Sequence, residues 1–123
     1  MLDHVSLRVA DFPASLAFYK AAFEPLGIRL LYGDNATYAG FGFVPQAFFW
    51  INVSGTPGTG THIAFPAESR AAVDAFYQAA LIAGARDNGA PGLRPHYHPD
   101  YYGAFVFDLD GYNLEAVCHR REA

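Results

Sequence analysis

A single cysteine, Cys118, leaves the chain unable to form an internal disulfide, so it is no disulfide-stapled secreted scaffold, and a cytoplasmic setting is expected. No run of about 18 apolar residues occurs, which argues against a spanning helix and against a membrane partner. Only eight Lys and Arg stand against twelve Asp and Glu, for a formal charge of −4. A nucleic-acid partner demands a basic stripe, and none exists here. There is no Gly-rich phosphate loop ahead of a helix and no H-E-x-x-H. A strand pattern begins right after Met1-Leu2-Asp3-His4, so no leader peptide is expected. Charged residues are scarce at 16% while hydrophobic ones reach 52%, the balance of a globular chain and not a disordered one. At 123 residues it fits one domain with a real core.

What is abundant is aromatic: eleven Phe and eight Tyr. Most of these fill a core, and the rest suit an apolar ligand cavity. The strongest signal is an internal repeat. Placing His4 over His62, an offset of 58, sets "AFYKAAF" (17–23) on "AFYQAAL" (75–81) with no gap. Alanine matches are cheap in helices, but the paired histidines and the two Phe-Tyr pairs are not.

Each half reads as strand, helix, then three strands. Val5, Leu7 and Val9 alternate with His4, Ser6 and Arg8. Asp11 is placed to cap a helix that Pro13 can start and Gly27 can stop. Strands are expected at 27–32, 36–43 and 47–53. "SGTPGTG" (54–60) joins the halves. The second half opens with a strand at 61–66 and a helix capped by Ser69 that ends near Gly84. It continues with a short strand near 85–88 and a long polar and aromatic loop over 88–102. A hairpin turning on Asp110-Gly111 closes the chain. The class is α+β: two βαβββ modules, 1–55 and 59–123, within one domain.

Strand parity sets His4 opposite Val5 and Leu7, His62 opposite Ile63 and Phe65, and Glu115 opposite Leu114 and Ala116. If the sheets curl, these polar members converge in a concavity. Two imidazoles and a carboxylate suffice to hold a divalent metal on one face, leaving positions open for water and substrate. Duplication supports the pairing, because His4 and His62 occupy equivalent points of the repeated unit.

Three segments, "HVSLRVADFPASLAFYKAAF", "THIAF" and "HPDYYGAFVFDLDGYNLEAVCH", closely resemble the vicinal oxygen chelate superfamily of glyoxalase I, bleomycin- and fosfomycin-resistance proteins and extradiol dioxygenases. The run Asp110 to Glu115 is the most specific of these. The resemblance implies paired modules curling into an open barrel around a metal, with helices packed outside, and a homodimer in which modules are sometimes exchanged. It implies metal ligands His4, His62 and Glu115, with Fe(II), Mn(II), Zn(II) or Ni(II) as the divalent ion. Glyoxalase I often takes a fourth ligand from the last strand of the first module. Here that stretch is "AFFWINV", whose inward member is Trp50, or by a shift of parity Phe49 or Ile51, none of which can ligate.

Further candidates follow. His98 and Tyr102 are catalytic acid–base candidates, with His96 and Tyr101 beside them in the same loop. Trp50, Phe48, Tyr101 and Arg8 are candidate substrate contacts, Arg8 for an anionic group. His119 reads as surface and Cys118 as core. The expected function is a metal-dependent enzyme, dioxygenase-like or lyase-like, acting on a small molecule with vicinal oxygens. The alternative is a metal-free protein that sequesters an aromatic or cationic compound through the row Tyr38, Phe41, Phe43, Phe48 and Trp50.

Overall fold

A computed structural model describes residues 1–122. The first half runs β1 (Val5–Arg8), α1 (Phe12–Phe23), a 3₁₀ turn (Glu24–Leu26), β2 (Arg29–Gly33), β3 (Tyr38–Phe43) and β4 (Gln46–Asn52). The second runs β5 (His62–Pro66), α2 (Arg70–Ile82), β6 (Arg86–Leu93), β7 (Tyr102–Phe107) and β8 (Asn113–Cys118). Two four-stranded mixed sheets result, in the order β1-β4-β3-β2 and β5-β8-β7-β6. They form no closed barrel. In each sheet the first strand pairs parallel with the last, and the remaining pairs are antiparallel.

Both helices begin where the sequence places their caps. The Asp11 carboxylate accepts from the Ala14 amide, and the Ser69 hydroxyl accepts from the Ala72 amide, each at 3.1 Å. Gly27 closes the 3₁₀ turn in the left-handed conformation, with φ of 73°, which a side chain would strain.

One contiguous core joins the two halves. Its centre is aromatic. Phe23 of α1 meets Phe65 of β5 with ring centroids 5.0 Å apart, and Phe49 of β4 meets the same ring at 5.5 Å. A polar tie crosses the halves as well. The Tyr19 hydroxyl donates to the buried Asp108 carboxylate, whose other oxygen accepts from the amides of Asp110 and Tyr112. Tyr112 in turn donates to the Arg8 carbonyl at 2.7 Å. Burial of Asp108 raises its pKa above the usual carboxylate range, against the pull of these donors.

One element differs from the expectation. β6 does not stop near residue 88 but continues through Asn88-Gly89-Ala90-Pro91-Gly92 to Leu93, so the loop shrinks to residues 94–101. This is an edge strand, where a proline forfeits no ladder bond, and it follows β7 through two register shifts, around Gly89 and before Gly92. Glycine and proline signal breaks in a sequence, yet a bulged edge tolerates both. Among the described residues no helix is long and apolar enough to cross a membrane.

Candidate functional site

Each sheet has one face against the helices and one face open. On the closed face of the second sheet lie Leu114, Ala116, Ala104 and Val106, all fully buried. The open face carries His62, Phe105 and Glu115, as the alternation along β5, β7 and β8 requires. Phe105 stands directly opposite Glu115 in the ladder, and Ala64 flanks Glu115 on its other side.

Glu115 is the centre of this face. Its side chain is only 1% exposed, a costly place for a carboxylate unless both oxygens are satisfied. They are. His62 Nε2 donates to Oε1 at 2.9 Å, and the Tyr101 hydroxyl donates to Oε2. Desolvation, and next the bond to Glu115, push the Tyr101 phenol well above its ordinary pKa, so it remains a donor. Gly103 makes room for this arrangement. A Cβ there would sit 3.1 Å from the Tyr101 ring and 3.2 Å from Glu115 Oε2.

The His62–Glu115 pair is suited to a metal. Two ligands about 2.1 Å from one ion, at right angles, lie about 3 Å apart, close to the spacing seen here. Imidazole nitrogen and carboxylate oxygen are also the donor types such ions take. His4 is not with them. Its Nδ1 pairs with Asp3 at 2.7 Å, and its ring is half-exposed. Among the described residues, no group of three or more His, Cys, Asp or Glu is gathered as a metal site. His4 instead borders a groove of about 540 Å³ with Phe43, Phe48, Ile63 and Phe65 among its lining.

The first sheet's open face holds Arg8 and Trp50. Register settles the parity of β4: Trp50 lies beside Ser6 and Gly40, while Phe49 and Ile51 are fully buried. Trp50 stacks on Tyr32 and Tyr38, with centroids 6.0 and 6.4 Å away. Gly40 permits this, since a Cβ there would come within 2.6 Å of the indole. Arg8 Nε donates to the Ser54 carbonyl at 2.8 Å. Phe48 is half-buried against Phe43, and Phe41 leaves the expected aromatic row for the core, where it is wholly buried.

In the loop, His98 Nδ1 accepts from the Asp100 amide at 3.1 Å, while the side-chain partners of Glu115 are His62 and Tyr101. His96 is exposed and lies tilted against Tyr97 with ring centroids 4.2 Å apart. His119 is exposed, as expected, although its ring meets that of Tyr101 at 5.1 Å. Tyr102 points the other way. Its hydroxyl donates to Asp74 of α2 at 2.6 Å, and this bond, more than partial burial, pushes its pKa up to about 12. Of the two adjacent tyrosines it is Tyr101 that meets Glu115, while strand alternation, which starts at Tyr102, sends Tyr102 to the helix side. Arg94, which no sequence motif singles out, lies over the Phe105 ring at 5.5 Å. Gly89 and Gly92 lie against its guanidinium.

The chain matches the model of the Glyoxalase/Bleomycin resistance protein/Dioxygenase superfamily over residues 1–116. A search of curated proteins returns no match. Among solved structures, it resembles a glyoxalase/bleomycin resistance protein from Albidiferax ferrireducens T118, at 29% identity and TM-score 0.83, over 96% of this chain and 98% of that one. It also shares its fold with TioX from Micromonospora sp. ML1, at 18% identity and TM-score 0.71, over 98% and 99% of the two chains. Lactoylglutathione lyase from Agrobacterium tumefaciens is similar at 18% and 0.70, over 96% and 92%.

Proposed function

From the premise that the chain belongs to the glyoxalase/bleomycin resistance/dioxygenase superfamily, we propose a metal-dependent enzyme that binds a small substrate by two vicinal oxygens. The observation that carries this reading is the buried Glu115 carboxylate with His62 Nε2 at 2.9 Å. The third ligand is His4 of a second copy, because within one chain His4 turns to Asp3 and away from this pair. The working form is therefore a homodimer in which the first module of one copy faces the second module of the other.

A divalent ion there, Fe(II), Mn(II), Zn(II) or Ni(II), supplies a Lewis acid for charge developing on a chelated oxygen. The protein's own part is preorganisation. Tyr101 fixes the Glu115 carboxylate, leaving its other oxygen toward His62. Phe105 packs near the His62 ring, centroids 6.0 Å apart. Dioxygenase-like and lyase-like reactions both suit such a face. His98 serves as an acid–base group only if its loop moves, since its Nδ1 is engaged by the Asp100 amide.

The test is metal content of untagged protein for wild type, His4→Ala, His62→Ala and Glu115→Gln. Each variant is expected to lose the ion, and equal occupancy throughout would remove the reading. Mixing the His4→Ala and Glu115→Gln chains should restore one site per mixed dimer. A site formed within one chain would not be restored.

A second reading, a metal-free protein that sequesters an aromatic or cationic compound, draws on the Tyr32–Trp50–Tyr38 stack and the apolar groove beside His4. In that case Glu115→Gln leaves ligand affinity unchanged.

A further inference from the structure

Arg94 is half-buried as a residue, and it takes part in none of the ion pairs among the described residues. The residue is held in place from three directions, two at its guanidinium and one at its backbone. Nη2 donates to the Ala90 carbonyl at 2.8 Å, the guanidinium plane lies over Phe105, and the Arg94 amide donates to the Tyr101 carbonyl at 2.7 Å. The strand beneath it is cut away to receive it. A Cβ at Gly89 would lie 3.3 Å from Nη2, and one at Gly92 would lie 3.1 Å from Nη1. The register shifts of β6 at Gly89 and Gly92 shape this bed.

Its location gives the feature meaning. Phe105, the ring beneath Arg94, is the ladder neighbour of Glu115 and the packing neighbour of His62. The guanidinium and the imidazole therefore share one aromatic wall, 5.5 and 6.0 Å from its centroid. Only one guanidinium donor is used internally, which leaves a fork of N–H groups for an incoming planar anion. A single arginine in a chain of net charge −4 suits a monoanionic carboxylate better than a phosphate dianion.

We infer that Arg94 recognises a carboxylate on the substrate, so that the ligand of this face is a carboxylate-bearing small molecule. The inference rests on the proposed site only for the position of the vicinal oxygens, and the carboxylate preference stands without a metal.

The test is calorimetric titration of wild type, Arg94→Gln and Arg94→Lys. Metal-free protein is titrated with benzoate and with neutral benzamide. Mn(II)-loaded protein is titrated with catechol and with 3,4-dihydroxybenzoate. Wild type is expected to prefer each carboxylate over its neutral analogue by about tenfold. Arg94→Gln should abolish the preference, Arg94→Lys should keep a fraction of it, and affinity for benzamide and catechol should not move. Equal affinity for both members of each pair in wild type would overturn the inference, as would a preference that survives in Arg94→Gln. A change of oligomeric state in Arg94→Gln would likewise overturn it, by showing that the guanidinium serves an interface. If the preference holds while the diols gain nothing from Mn(II), the metal reading has failed and the Arg94 assignment has not.

Discussion

Trp50 and Glu115 occupy equivalent places in the two halves of the molecule. Trp50 lies beside Ser6 in the first parallel strand pair, and Glu115 lies beside Ala64 in the second. Ser6 and Ala64 are themselves related by the repeat. One half thus presents a carboxylate at the point where the other presents an indole. The duplicated fold carries an acidic donor at one of the two equivalent positions and aromatic packing at the other.

Restoring the symmetry is an informative experiment. Trp50→Glu should place a second carboxylate on the first module's open face and raise metal affinity in the dimer, measured by competition with a chelating dye. It should also lower stability, because the stack with Tyr32 and Tyr38 is lost. Unchanged metal affinity would argue that the first module's open face does not meet the metal.

Tyr101→Phe removes the hydroxyl that satisfies Glu115 Oε2 and changes little else in shape. Metal affinity should fall by about 10- to 100-fold, as for other lost partners of ligating groups. An unaffected titration would place Tyr101 outside the working site.

Gly103→Ala tests the same seat from below. The added methyl presses on both Tyr101 and Glu115, at 3.1 and 3.2 Å, so the variant should weaken metal binding in the same direction as Tyr101→Phe. Gly58→Ala, where nothing lies within 4 Å, serves as the control and should bind as wild type.

Tyr19→Phe probes the tie between the halves. It leaves the buried Asp108 with only backbone donors and should cost about 1–3 kcal/mol in denaturant unfolding. The unfolding transition should stay single, since one aromatic core still spans both modules.

The Tyr102–Asp74 bond gives a pH signature. Because the folded pKa of Tyr102 is raised, its contribution is complete below the ordinary phenol pKa near 10 and is lost as pH climbs toward about 12. Thermal melts of wild type should lose stability across that window more steeply than melts of Tyr102→Phe. Parallel curves would show that the hydroxyl makes no such contribution.

Local chemistry determined much of this protein by itself. Capping by Asp11 and Ser69, the strand alternation around His4, His62 and Glu115, and the 58-residue repeat are all properties of neighbouring residues, and a sequence displays them directly. The structure alone decided relations that depend on distant segments. It turned Tyr102 to α2 and Tyr101 to Glu115, extended β6 through glycine and proline because an edge strand permits it, and laid Arg94 across Phe105. It also set His4 apart from the His62–Glu115 pair within one chain. Periodicity reports which face a residue occupies, but the meeting of two faces is fixed by how the halves pack, and that is a property of the whole core.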